Sequence, residues 1–117
     1  MEQEFCEISR WDLLKKQLNN LDGKAFQQAI EEWKDATLID VRRPGEFAID
    51  ALPNAINMDY LGEGFYDQLD QLDPKARYLV YCRSGRRSLR TCVLMQNSGF
   101  ENIYNLDGGL KMMNNIL

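Results

Sequence analysis

Leu79-Val80-Tyr81-Cys82-Arg83-Ser84-Gly85-Arg86-Arg87-Ser88 reads as an apolar strand that stops at a thiol and passes into a basic loop containing a glycine. A helix is expected from Ser88 to Gln96, with Gly99 as its C′ residue. Strand, loop and helix in that order are one βα step of a parallel sheet. The chain has no histidine among its 117 residues. A Cys–His pair, a Ser–His–Asp triad and a histidine metal site are therefore excluded. Chemistry at Cys82 has to draw on backbone amides and arginines.

On the N-terminal side the pattern alternates between helices and strands. Ser9 can cap a helix whose stripe is Trp11, Leu14, Leu18 and Leu21, broken by Asp22-Gly23. Phe26, Ala29, Ile30 and Trp33 form a second amphipathic stripe. Thr37 to Val41 is a short apolar strand, turned by Arg42-Arg43-Pro44-Gly45. A helix from Glu46 to Ala51 with Phe47 inward, a strand from Ala55 to Met58 and a helix from Phe65 to Leu72 follow. Tyr78 to Tyr81 is the strand of the opening motif. Beyond Gly99 come a strand from Asn102 to Asn105, Gly108-Gly109 and a terminal helical segment. Short strands alternating with helices imply an α/β fold with a parallel sheet covered on both faces. In such sheets ligands bind beyond the carboxyl ends of the strands, where Cys82 lies.

The length suits one domain. No apolar run reaches a membrane span, and Met1-Glu2-Gln3-Glu4 lacks the basic start of a secretory signal. Three cysteines with no Cys-x-x-Cys pair fit free thiols in a reducing cytoplasm. The net charge of −4 is unevenly spread. Pro74 to Phe100 holds no acid but carries Lys75, Arg77, Arg83, Arg86, Arg87 and Arg90, so the chain concentrates positive charge around one cysteine. A nucleic-acid surface needs a broader basic face, and no nucleic-acid or membrane partner is expected.

The loop explains how a thiol could react without a base. Gly85 permits a turn that other residues resist. The unpaired amides and positive dipole end of the following helix face the same point. Such a nest holds an anion, here the Cys82 thiolate, and Arg83, Arg86 and Arg87 act in the same direction. A thiolate needs no general base. Considered alone, a cysteine ending a strand is more often structural; this basic loop tips the reading toward function.

Three motifs in order carry a family resemblance: Leu38-Ile39-Asp40-Val41-Arg42 with Glu46-Phe47, Cys82-Arg83-Ser84-Gly85-Arg86-Arg87, and Gly99-Phe100 through Asn105-Leu106-Asp107-Gly108-Gly109. From about Leu21 onward the chain resembles a single-domain rhodanese, a sulfurtransferase. The resemblance implies a three-layer sandwich with a central, mostly parallel five-stranded sheet flanked by helices. It implies a ping-pong reaction in which Cys82 takes a sulfane sulfur from a small anionic donor such as thiosulfate, becomes a persulfide, and passes the sulfur to cyanide, a thiol or a protein acceptor. No cofactor or metal is expected. Arg83, Ser84, Gly85, Arg86, Arg87 and Ser88 would cradle substrate and persulfide, with Arg83 and Arg86 the better candidates for substrate contact. The resemblance also places Asp40 and Arg42 near the loop, either fixing its amides or forming a structural ion pair.

Where the family commonly has Gly-His-Ile-Pro-Gly-Ala, this chain has Asp50-Ala51-Leu52-Pro53-Asn54-Ala55, and the tryptophan often following Gly-Gly is absent, with Met112 and Met113 there. Residues 1–20 read as an extension and 21–117 as the domain. Cysteine-dependent phosphatases and arsenate reductases place five residues between Cys and Arg; here that arginine position is Ser88, and Arg87 comes one residue early, which disfavours them. A non-catalytic rhodanese-like binding module is the alternative from another class. Cys92 reads as a core residue, Arg90 as a surface charge, and Cys6 has no assigned role.

Overall fold

The computed structural model describes residues 13–113. Five strands form one sheet, β1 (Asn19–Leu21), β2 (Thr37–Asp40), β3 (Ile56–Asn57), β4 (Arg77–Tyr81) and β5 (Asn102–Leu106), in the order β1-β5-β4-β2-β3. All four pairings are parallel. The helices are α1 (Gly23–Glu32), α2 (Pro44–Asp50), α3 (Phe65–Asp70) and α4 (Arg86–Asn97), and a 3-10 turn covers Leu110–Met113.

Period-2 alternation in β4 divides the core into two layers. Tyr78, Val80 and, one residue past the strand, Cys82 pack with Leu69 and Phe65 of α3 and Leu89, Cys92 and Met95 of α4. Leu79 and Tyr81 face the other way, against Phe26 and Ala29 of α1 and Leu110 and Met113 of the 3-10 turn. Cys82 therefore continues the strand's inward-facing register toward α4. No helix among the described residues is long and apolar enough to cross a membrane.

Several boundaries depart from expectation. Ser9 and Trp11 lie outside the described residues, but Leu21 belongs to strand β1 and not to a helix. Asn19-Asn20-Leu21 has little intrinsic strand preference; the edge is secured instead by side-chain amides. Asn19 Nδ2 donates to the Ile103 carbonyl at 3.2 Å, and Asn105 Nδ2 donates to Asn20 Oδ1 at 2.9 Å. Asp22 starts α1 as well as ending what precedes it, its Oδ1 accepting from the Ala25 amide at 2.8 Å. The helix α2 begins at Pro44, where a proline at the first turn has no donor to lose, and Phe47 is only half-buried. The segment Ala55 to Met58 yields just two strand residues. Asn54, at a position the family commonly gives to glycine, takes φ +67°, a conformation asparagine tolerates better than most residues.

Candidate active site

The helix α4 starts at Arg86, two residues before the expected Ser88, because Gly85 adopts φ +92° and serves as its N-cap. That shift brings Ser88 into the first helical turn, where amides lack an intrahelical partner. Two such amides turn to one atom. Gly85 N–H donates to Cys82 Sγ at 3.1 Å and Ser88 N–H donates to it at 3.4 Å. The Cys82 thiol lies 3.5 Å from Ser88 Oγ as donor, and the Ser88 hydroxyl in turn donates to the Gly85 carbonyl at 3.3 Å. A deprotonated sulfur would reverse this polarity, since a hydroxyl can rotate to donate. Cys82 and Ser88 are both fully buried. The sulfur thus has the apolar core behind it and a ring of donors in front.

The loop is held from outside by the chain's last segment. Leu110 N–H donates to the Cys82 carbonyl at 2.9 Å and Lys111 N–H to the Arg83 carbonyl at 3.3 Å. Gly109, at φ +72°, lies against the Arg83 carbonyl so closely that a Cβ would collide with it.

Asp40 and Arg42 are buried together. Both Asp40 carboxylate oxygens are taken up by Arg42, through its backbone amide at 2.9 Å and guanidinium contacts of 2.9–3.1 Å. Among the described residues no loop amide bonds to Asp40; the pair forms an internal strut. It reaches the loop indirectly. Arg42 Nη1 donates to Asp50 at 2.8 Å, and Asp50 also accepts from Arg83 Nη2 at 3.1 Å.

Glu46 and Asp50, both on α2, were not singled out as site residues by the sequence. Glu46 receives both terminal nitrogens of Arg87 at 2.9 and 3.2 Å, and Arg83 Nε lies 3.9 Å from it. The hydrogen bond from Arg87 holds the Glu46 carboxyl below its ordinary range, and the one from Arg42 does the same for Asp50. The legible signals were Glu46-Phe47 in the first motif and the Asp50 departure. Arg86 lines a cleft of about 180 Å³ together with Ser84 and Gly85 of the loop and with Lys15, Asn105 and Asp107. Arg90 is exposed, and Cys92 is buried, which pushes its thiol up. Among the described residues no group of three His, Cys, Asp or Glu is placed to hold a metal.

The sequence model of the rhodanese-like domain matches residues 22–115. A sulfurtransferase of Allochromatium vinosum is 27% identical over 93 residues, covering 80% of this chain and 85% of that protein. A thiosulfate sulfurtransferase of Vibrio cholerae is 31% identical, over 72% of this chain and 77% of its own length. The solution structure of a polysulfide-sulfur transferase homodimer from Wolinella succinogenes superimposes with a TM-score of 0.76 at 24% identity, covering 97% of this chain and 85% of that one.

Proposed function

Because this chain belongs to the rhodanese-like domain family, we propose that it is a sulfurtransferase working through a persulfide on Cys82. The observation that carries this reading is the convergence of the Gly85 and Ser88 amides on Cys82 Sγ, at 3.1 and 3.4 Å. Two main-chain donors at a helix N-terminus favour sulfur as an anion without any imidazole. The thiolate attacks the outer sulfur of a thiosulfate-like donor. A Cys82–S–S⁻ persulfide forms as the donor's S–S bond breaks, and the bonding pair leaves on sulfite. A thiol, a protein or cyanide then takes the terminal sulfur, and the bonding pair returns to Cys82. The amides of Ser84, Arg86 and Arg87 have no hydrogen-bond partner among the described residues, which leaves donors for that second, also anionic, sulfur.

The transfer domain is taken as residues 21–117, with β1 carrying its sheet two residues further back, to Asn19. Leu14 and Leu18, in the described part of residues 1–20, lie against the core. The free thiols of Cys82 and Cys92 suit a cytoplasmic setting.

Intact mass measurement after incubation with thiosulfate should show one added sulfur, removed by cyanide and absent from Cys82→Ser. No adduct on the wild type would leave a binding module as the reading; an undiminished adduct on Cys82→Ser would place the chemistry elsewhere. Thiol reactivity offers a separate check. Cys82 should alkylate with iodoacetamide well ahead of Cys92, which is equally buried but lies outside the loop's amide donors. Ser88→Ala should slow Cys82 about tenfold, the worth of one hydrogen bond to a charged group. Equal rates for the two thiols would contradict an anion-holding loop.

A further inference from the structure

The arginines that made the loop look strongly cationic are largely spoken for. From Asp40 through Arg42, Asp50, Arg83 and Glu46 to Arg87, acids and bases alternate in one connected series. Three carboxylates answer three guanidiniums, so the side of the loop that faces α2 has no net charge. Arg86, the remaining loop arginine, stands outside this series and lines a cleft with Ser84 and Gly85 of the loop and with Lys15, Asn105 and Asp107. The pivotal member is Asp50. It stands where the family commonly has glycine, and it joins the buried strut to the loop, accepting from Arg42 at 2.8 Å and Arg83 at 3.1 Å. Its carboxylate is also half-exposed, with 45% side-chain accessibility. An incoming donor therefore meets an Arg83 guanidinium already paired with a carboxylate.

We infer that Asp50 selects the sulfur donor: by cancelling Arg83 it turns the site against dianions such as thiosulfate and toward sulfane donors that carry a single negative charge, thiosulfonates and hydropersulfide anions. This rests on the sulfur-transfer reading above. The chemistry is the same for either class. With a thiosulfonate, the Cys82 thiolate attacks the outer sulfur, the S–S bond breaks, and its electron pair departs on a sulfinate, leaving Cys82–S–S⁻. Only the charge carried past Arg83 differs. Cancelling the Arg83 charge removes more attraction for a dianion than for a monoanion, and the difference is screened by salt. Asp50 acts through Arg83, so it is a positioning residue.

Thiosulfate and methanethiosulfonate present the same sulfane sulfur with two charges and with one, so they isolate the effect. The wild type should favour methanethiosulfonate in kcat/KM. Asp50→Asn keeps an oxygen for Arg42 while releasing Arg83. It should raise kcat/KM for thiosulfate relative to methanethiosulfonate by about tenfold, expressed in KM and not in kcat. In an Arg83→Gln background that gain should vanish. A donor ratio unchanged by Asp50→Asn, or a gain that persists without Arg83, overturns the inference. The wild type supplies an independent measurement. Raising salt from about 20 to 200 mM should change its kcat/KM for thiosulfate less than about twofold, whereas a steep fall would reveal an uncompensated cationic mouth and refute the idea. If neither donor adds sulfur to Cys82, the sulfur-transfer reading itself falls. If both do, with a ratio indifferent to residue 50, only the selection by Asp50 falls.

Discussion

Gly109→Ala should all but abolish sulfur loading of Cys82 while leaving the sheet folded. Gly109 sits at φ +72°, and a Cβ there would drive into the Arg83 carbonyl and come within 2.6 Å of the Ser84 amide. Relief requires the cysteine loop and the Gly108-Gly109 turn to separate. That separation pulls on Leu110 N–H, which bonds the Cys82 carbonyl at 2.9 Å. A displacement of about 1 Å at reacting atoms can cost on the order of a hundredfold in rate, and the amide ring around the sulfur would be disturbed as well. Gly99→Ala is the matched control. Gly99 also has a positive φ, +95°, yet nothing lies within 4 Å of its would-be Cβ. Both variants should lose about 1–2 kcal/mol from the left-handed backbone, but only Gly109→Ala should lose the sulfur adduct. Comparing adduct yield and urea midpoints for the two separates loop geometry from stability. Normal loading by Gly109→Ala would show that the turn does not shape the loop.

The largest stability effect is expected at Arg42. Its side chain and that of Asp40 have no exposure, and they meet at 2.9 Å. Arg42→Ala strands a buried carboxylate without its counter-ion, a loss of about 3–5 kcal/mol. Against a typical total of about 5–15 kcal/mol, this would leave part of the population unfolded at physiological temperature. Urea denaturation should show the midpoint falling steeply. Pairing Arg42→Met with Asp40→Asn should recover much of it, because no charge is then left buried alone. Acid works on the same series of contacts. The Asp50 and Glu46 carboxyls are held below their ordinary values in the folded chain. Their stabilisation is therefore full above the unfolded range, near pH 4, and is lost as pH falls through the folded values. Wild-type stability should decline below about pH 4. Arg42→Ala, which frees Asp50, should show a shallower decline. Equal slopes would mean that Arg42 does not couple to Asp50.

Local chemistry made much of this arrangement readable in advance. The run from Leu79 to Ser88 announced a strand, a sulfur and a helix start because each is encoded by adjacent residues. Alternating strands and helices implied the parallel sheet, and the resemblance added its count of five strands. A pass over the residues found four, since Asn19-Asn20-Leu21 becomes a strand only when the last strand lies beside it. The same reason hid the ionic series. Arg83 and Arg87 stand beside no acid in sequence, and their partners Glu46 and Asp50 approach only once α2 folds over the loop. Counting arginines thus overstated the positive charge that a donor meets. The position of Asp40 was legible, but the onward bond from Arg42 to Asp50 was not, because it depends on how α2 packs and not on proximity along the chain.

The pairing order of the sheet also bears on synthesis. The first strand sits at an edge beside the last one, Asn19 opposite Tyr104, and the backbone clasp on residue 82 comes from residue 110. A chain emerging from the ribosome therefore holds its N-terminal strand unpaired until nearly everything else has been made. The outer clasp on the loop is finished among the last acts of folding, so a nascent or prematurely ended polypeptide carries the thiol and its amides without the contact that holds them in place.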